Sequence, residues 1–143
     1  MDAIDEDIIY AIDSGSIRYS RIAKKLGIPL STVHFRVKRL ERDGIIKGYR
    51  GDIDWRKAGL GLNAFVFINI DVSLLKRIGK TQDKLLKELL AIKYVREGYV
   101  VTGDSDILLR VMAKDTAHFK EILLNHIDTK EGIVKTDTIM ILE

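Results

Sequence analysis

The sequence contains no cysteine and only one proline. The first absence excludes a disulfide-stapled scaffold and every zinc site built on thiolates. The second turns Pro29 into a punctuation mark whose position carries meaning. No apolar run approaches the ~20 residues that a helix needs to cross a bilayer. A basic-then-apolar leader is also missing, because the opening "MDAIDEDIIYAID" is acidic and helix-patterned. The expectation is a cytoplasmic protein with no membrane partner. Amide side chains are scarce, with one Gln and three Asn against 31% charged residues, a balance that leans towards a thermophile.

What is present is unevenly distributed. The net charge is only +3. Yet residues 17–50 hold ten basic side chains against Glu41 and Asp43, an excess of eight, while residues 61–143 hold twelve of each sign. All the surplus positive charge therefore lies in one early segment, as a polyanion-binding module requires; the alternative is a solvated basic surface. The 143 residues suffice for one domain or two small ones, and a unit below ~70 residues usually needs a partner subunit.

Up to about residue 60 the apolar spacing is helical in three pieces: Ile4 to Ile12, Ile17 to Leu26 and Leu30 to Asp43. Ser20 is the expected N-cap of the second piece, and Gly27 its left-handed stop. Pro29 then opens the third, so that "LGIPLST" reads as one helix ending and another beginning within about three residues. That is helix-turn-helix spacing. In "STVHFRVKRLERDGIIKGY" the stripe Val33, Val37 and Leu40 faces a core, while the wet side carries His34, Phe35, Arg36, Lys38, Arg39 and Arg42. "IIKGYRGDID" then reads as extended and "WRKAGLGLN" as a turn-rich connection, a linker over 47–61 whose extended part could pair with a second subunit.

The remaining chain reads as strand "LNAFVFINIDV", helix "IGKTQDKLLKELLAI" with Leu85, Leu86, Leu89 and Leu90 inward, and strands "YVREGYVVTG" and "DILLRVMA". Helix "DTAHFKEILLNHI", capped by Asp115 or Thr116, and strand "GIVKTDTIMILE" complete a βαββαβ order, the ferredoxin-like arrangement. The expected fold is thus α+β: a (winged) helix-turn-helix domain over 1–46 and a βαββαβ domain over 62–143. Helices cover one face of such a sheet, and an apolar bare face usually finds a partner. The turn "TGDSD", Thr102, Gly103, Asp104, Ser105 and Asp106, has two readings. Backbone N–H groups could hold a carboxylate while Asp104 or Asp106 pairs with an ammonium, together a bound amino acid. The same residues also make an ordinary hairpin turn, which the residues alone favour.

The pairing of "IAKKLGIPLSTVHFRVKRLERDGIIKGY" with a βαββαβ domain containing "YVVTGDSDILLRV" resembles the Lrp/AsnC family of feast/famine transcriptional regulators. The opening "IDEDIIYAI" is similar to that family's first helix, and the resemblance covers essentially the whole chain. It implies double-stranded DNA as partner, with the third helix in the major groove and dimers setting two such helices about one turn of DNA apart. Arg36, Lys38, Arg39 and Arg42 would then position the phosphate backbone, with His34 and Phe35, the family's variable pair, as base readers. Ser31 and Thr32 would reach phosphate or a base edge, or only cap the helix. His34 could equally be merely exposed, and Phe35 could pack on the first helix. The family often has Ser where this chain has Pro29. The resemblance also favours an amino-acid effector at Thr102 to Asp106, between dimers, with Thr136 and Thr138 as a second wall, and a homodimer assembling to an octamer. "AIKYV" stands where the family commonly has a proline-containing "PEV".

Enzymatic readings fare poorly. His34, His118 and His126 are scattered, and the last two, eight apart, make no adjacent-turn metal pair. A GxxxxGK[ST] phosphate loop is absent. The expectation is no catalytic residue, no metal and no cofactor. Two alternatives stay open: an architectural DNA-compacting protein of low sequence specificity, and a sirohaem-decarboxylase-like subunit relying on Arg96, Arg110 and His118.

Overall fold

The computed structural model describes residues 1–142, so Glu143, the end of the expected last strand, lies outside the described residues. The chain divides into two compact units, Met1–Ile53 and Asp54 onward, and the division falls within the segment 47–61.

The first unit is three helices, α1 (Ala3–Asp13), α2 (Tyr19–Leu26) and α3 (Leu30–Arg42). Asp2 caps α1 in a reciprocal box: its carboxylate accepts from the Asp5 N–H at 2.9 Å and the Asp5 carboxylate accepts from the Asp2 N–H at 3.3 Å. α2 does not begin at a Ser20 cap. It starts two residues earlier, with Arg18 at the cap position and no side-chain bond, which places Ser20 inside the first turn. Gly27 ends it at φ +65°, where a side chain would be strained, and the Ile28 N–H closes the turn on the Ala23 carbonyl at 3.1 Å. Pro29, extended and without an N–H to satisfy, launches α3. Ile8, Ala11, Ile22, Ala23, Val33, Val37 and Leu40 form the core where the three helices meet. Beyond α3 the Ile45 and Ile46 N–H groups bond back to the Leu40 carbonyl, and residues 47–54 run on without helix or strand.

The second unit is an antiparallel sheet in the order β2-β3-β1-β4, built from β1 (Leu62–Ile70), β2 (Val95–Val100), β3 (Ile107–Ala113) and β4 (Ile133–Ile141). Alternation along β1 sends Ala64, Val66, Ile68 and Ile70 inward against helices α5 (Gln82–Leu90) and α6 (Thr116–Ile122). Leu85 and Leu89 are buried and Leu86 half-buried, whereas Leu90 is 41% exposed, at the margin of the stripe rather than in it. Asp71 and Val72, read as strand, are the cap and first residue of an additional short helix, α4 (Val72–Arg77). Its Leu75 lies so close to Gly132 that a Cβ there would sit 2.5 Å from Leu75 Cδ2. Asp115 caps α6, accepting from the His118 N–H at 2.8 Å, and a π-helical turn (Leu123–Ile127) follows. The apolar residues Ile122 and Ile127 stand five apart, so the wider turn returns Ile127 to the core and leaves His126 outside.

Candidate DNA-binding face and ligand loop

On α3 the buried stripe fixes where the other residues point. With about 100° per residue, Ser31, Phe35, Lys38 and Arg42 form the ridge opposite Val33, Val37 and Leu40, and all four are exposed. Phe35 is 66% exposed, so it does not pack on α1. Its ring stays in contact with water, and burying it against a partner would be favourable. The Arg39 guanidinium stands 6.0 Å from its ring centre. His34 lies at the flank, its ring edge-on to Tyr19 at 5.4 Å between centroids, which orients an otherwise exposed imidazole. Ser31 and Thr32 are in the first turn of α3, but neither caps it: the cap position is Pro29 and no side-chain bond is made.

Arg36 and Arg39 have a different setting from that expected of phosphate-positioning residues. Arg36 Nη1 is 2.7 Å from both carboxylate oxygens of Asp2 and 3.0 Å from Asp5, and Arg39 Nη2 is 2.6 Å from Asp5. Asp5 is 1% exposed, the one buried charged residue among those described. Two guanidinium groups satisfy it, as burial of a carboxylate demands. The bonds from Arg36 hold the Asp2 carboxyl at about 2, well below its ordinary value, with the Asp5 N–H assisting. The acidic start of the chain thus folds against the basic helix and neutralises two of its arginines. Lys38 and Arg42 keep only long, exposed contacts, to Glu41 at 3.6 Å and Asp43 at 3.9 Å, and remain the available cations of the ridge.

In the second unit the β2–β3 turn is pinned to β1. Asn69 Nδ2 donates to the Asp104 carbonyl at 2.7 Å, and the Asp106 N–H donates to the Ile68 carbonyl at 2.8 Å. Asp106 Oδ2 accepts from the Ile70 N–H at 2.9 Å. Asp106 is therefore a rung of the sheet, supplied by a side chain where β3 has already turned away, with its Oδ2 engaged by the main chain. Asp104 keeps an exposed carboxylate, and with Phe67, Val101, Thr102, Ser105 and Leu108 it lines an open cleft of about 290 Å³. Gly103 forms the turn at φ +120°. Thr136 and Thr138 do not join this cleft. They pair with Ile68 and Val66, so they point to the helix-covered face, whereas Phe67 and Leu108 point to the other. The periodicity of β4 alone does not reveal this; its register with β1 does.

The three residues of the enzymatic alternative are dispersed. Arg96 stacks on Trp55 at 4.3 Å, Arg110 bonds Asn63 and Glu97, and His118 accepts from the Lys114 N–H with its ring against Tyr94. Among the described residues no group of three His, Asp or Glu could hold a metal ion, and no helix is long and apolar enough to cross a membrane.

Comparison with known proteins finds a winged helix-turn-helix DNA-binding model over residues 1–47 and the Lrp/AsnC ligand binding domain over residues 64–143. The chain belongs to the Lrp/AsnC family.

An uncharacterized HTH-type transcriptional regulator of Pyrococcus furiosus is 35% identical over 119 residues, 83% of this chain and 77% of the relative. The structure of Escherichia coli AsnC superposes with a TM-score of 0.80 at 27% identity, covering 100% of this chain and 93% of that one. The feast or famine regulatory protein from M. tuberculosis, complexed with L-methionine, gives 0.81 at 28% identity, covering 99% and 92%. This Lrp/AsnC protein is a DNA-binding transcriptional regulator, and its family is one of regulators rather than enzymes, which removes the decarboxylase alternative. The ferredoxin-like sheet agrees with the family's fold.

Proposed function

We propose that the protein reads specific DNA sites through the outward ridge of α3 and changes its DNA affinity or assembly when an amino acid binds at the β2–β3 turn. The exposed Phe35, set between Ser31 and the cations Lys38 and Arg42, carries the first half of this reading. Lys38 and Arg42 neutralise phosphates and fix register, Phe35 meets a thymine methyl, and His34, already oriented by Tyr19, meets a base edge. For the second half, the exposed Asp104 carboxylate takes the ammonium, and N–H groups around Gly103 and Ser105 take the carboxylate. The methionine held by the M. tuberculosis relative supports this class of ligand.

The protein works in the cytoplasm as a homodimer that assembles to an octamer. Support for self-association comes from the bare face of the sheet, where Phe65, Phe67, Leu108, Tyr99 and Ile139 line up across neighbouring strands, Tyr99 and Ile139 more than half exposed. A two-fold pairing of that patch would bury it and give a dimer that carries two copies of α3.

The test is selection from a random duplex library at near-physiological salt. A two-fold symmetric motif with half-sites about one helical turn apart is the expected result. Binding without enrichment would instead identify an architectural protein of low sequence preference.

A further inference from the structure

The geometry points to Asp2 as an intramolecular competitor of DNA phosphate: its carboxylate occupies Arg36 of α3 and so holds down the affinity of the protein for DNA of any sequence. The inference rests on the reading of α3 as the DNA-contacting helix. Four observations lead to it. Asp2 and Asp5 engage Arg36 through Nη1 alone, and its Nε and Nη2 make no bond to the chain among the described residues, so the guanidinium has donors to spare. The two carboxylates are unequal: Asp5 is buried and shared with Arg39, whereas the Asp2 side chain is 54% exposed. Asp5 is thus the fixed anchor of Arg36, and Asp2 is the displaceable partner. Arg36 itself is 20% exposed and follows Phe35 directly on α3. Finally, the four charges Asp2, Asp5, Arg36 and Arg39 cancel, so this cluster adds no attraction for a phosphate to that of Lys38 and Arg42 until Asp2 is withdrawn.

Asp2 also caps α1, and the two roles separate by substitution. Asn and Ser accept the Asp5 N–H at an N-cap as well as Asp does, but carry no charge. The full-length Asp2→Asn protein should therefore melt close to wild type, with Asp2→Ser as its second version. On a random-sequence duplex it should bind more tightly at low salt, with a salt slope steeper by about 0.9 per chain, so that its advantage shrinks about threefold between 50 and 200 mM salt. The gain must require Arg36. In an Arg36→Gln background the Asp2→Asn change should leave affinity and slope unaltered, and Asp7→Asn, on α1 but bonded to neither arginine, should have a small effect.

A gain that survives in Arg36→Gln reports only the lost negative field and overturns the competition. Unchanged or weaker binding by a normally folded Asp2→Asn protein overturns it as well. Lys38→Ala distinguishes this failure from that of the underlying reading. If Lys38→Ala lowers the slope and Asp2→Asn does not raise it, only the competitor role falls. If neither moves, α3 is not the helix that meets DNA.

Discussion

Asp104 and Asp106, two residues apart in one turn, should behave as different kinds of residue. Replacing Asp106 with alanine removes the acceptor of the Ile70 N–H, a 2.9 Å bond at the point where β1 outruns β3. A hydrogen bond to a charged group contributes about 1.5–3 kcal/mol, and the low end applies because Asp106 keeps some access to water. In a unit of this size a loss of about 1.5 kcal/mol lowers the melting temperature by roughly 6–12 °C. Asp106→Asn retains an acceptor oxygen and should recover most of the loss. Asp104→Ala should leave melting unchanged within about 0.5 kcal/mol, because Asp104 holds Asn69 through its main-chain carbonyl, which alanine also has. Any amino-acid response should nevertheless disappear in Asp104→Ala. Differential scanning calorimetry of the three variants, with and without a panel of amino acids, measures all of this. Equal destabilisation by Asp104→Ala and Asp106→Ala, or none by either, would refute the assignment of one as rung and the other as ligand group.

Three further outcomes are expected. Lys38→Ala and Arg42→Ala should each reduce the salt slope of DNA binding by about 0.9 per chain on every sequence tested, whereas His34→Ala and Phe35→Ala should chiefly blur preference among sites; titrations on selected and random duplexes separate the two patterns. The Asp2 carboxyl, depressed in the folded protein, contributes stability above the ordinary carboxylate range and loses it as pH falls through about 2; an NMR titration should show that midpoint, returning towards 3.8 in Arg36→Ala. Gly98→Ala would put a Cβ 2.9 Å from both Leu109 Cδ2 and Leu86 Cδ1, and should cost about 1–3 kcal/mol by overpacking, measured by chemical denaturation.

The parts of this molecule that are legible in the sequence are those decided locally. Gly27 and Pro29 mark the turn between α2 and α3 because each has a backbone restriction that no neighbour can relax. Val33, Val37 and Leu40 locate the buried side of α3, and with it the exposed ridge. The alternating burial of β1 and the order of elements lead to the sheet. What escapes the sequence is decided through space. Arg36 looks like one more cation of a basic helix until the fold brings Asp2, 34 residues away, against it. The positive excess of residues 17–50 is correspondingly smaller in three dimensions than along the chain. Asp106 reads as half of a carboxylate pair, and only the early end of β3 reveals it as a substitute rung. The side to which Thr136 and Thr138 point depends on a register, with an irregularity at Asn69/Ile70, that a single strand does not encode. The π-helical turn is partly visible afterwards, in the five-residue gap between Ile122 and Ile127.

Gly98 gives β2 a mechanical property that no other position on the strand supplies. With no side chain there, the strand backbone lies directly beneath the Leu86 and Leu90 side chains of α5, and a single layer of side chains separates strand from helix. A larger residue at 98 would have to displace the side chains of Leu86, Leu90 and Leu109 together, so the absence of a side chain there sets how closely β2 and α5 approach.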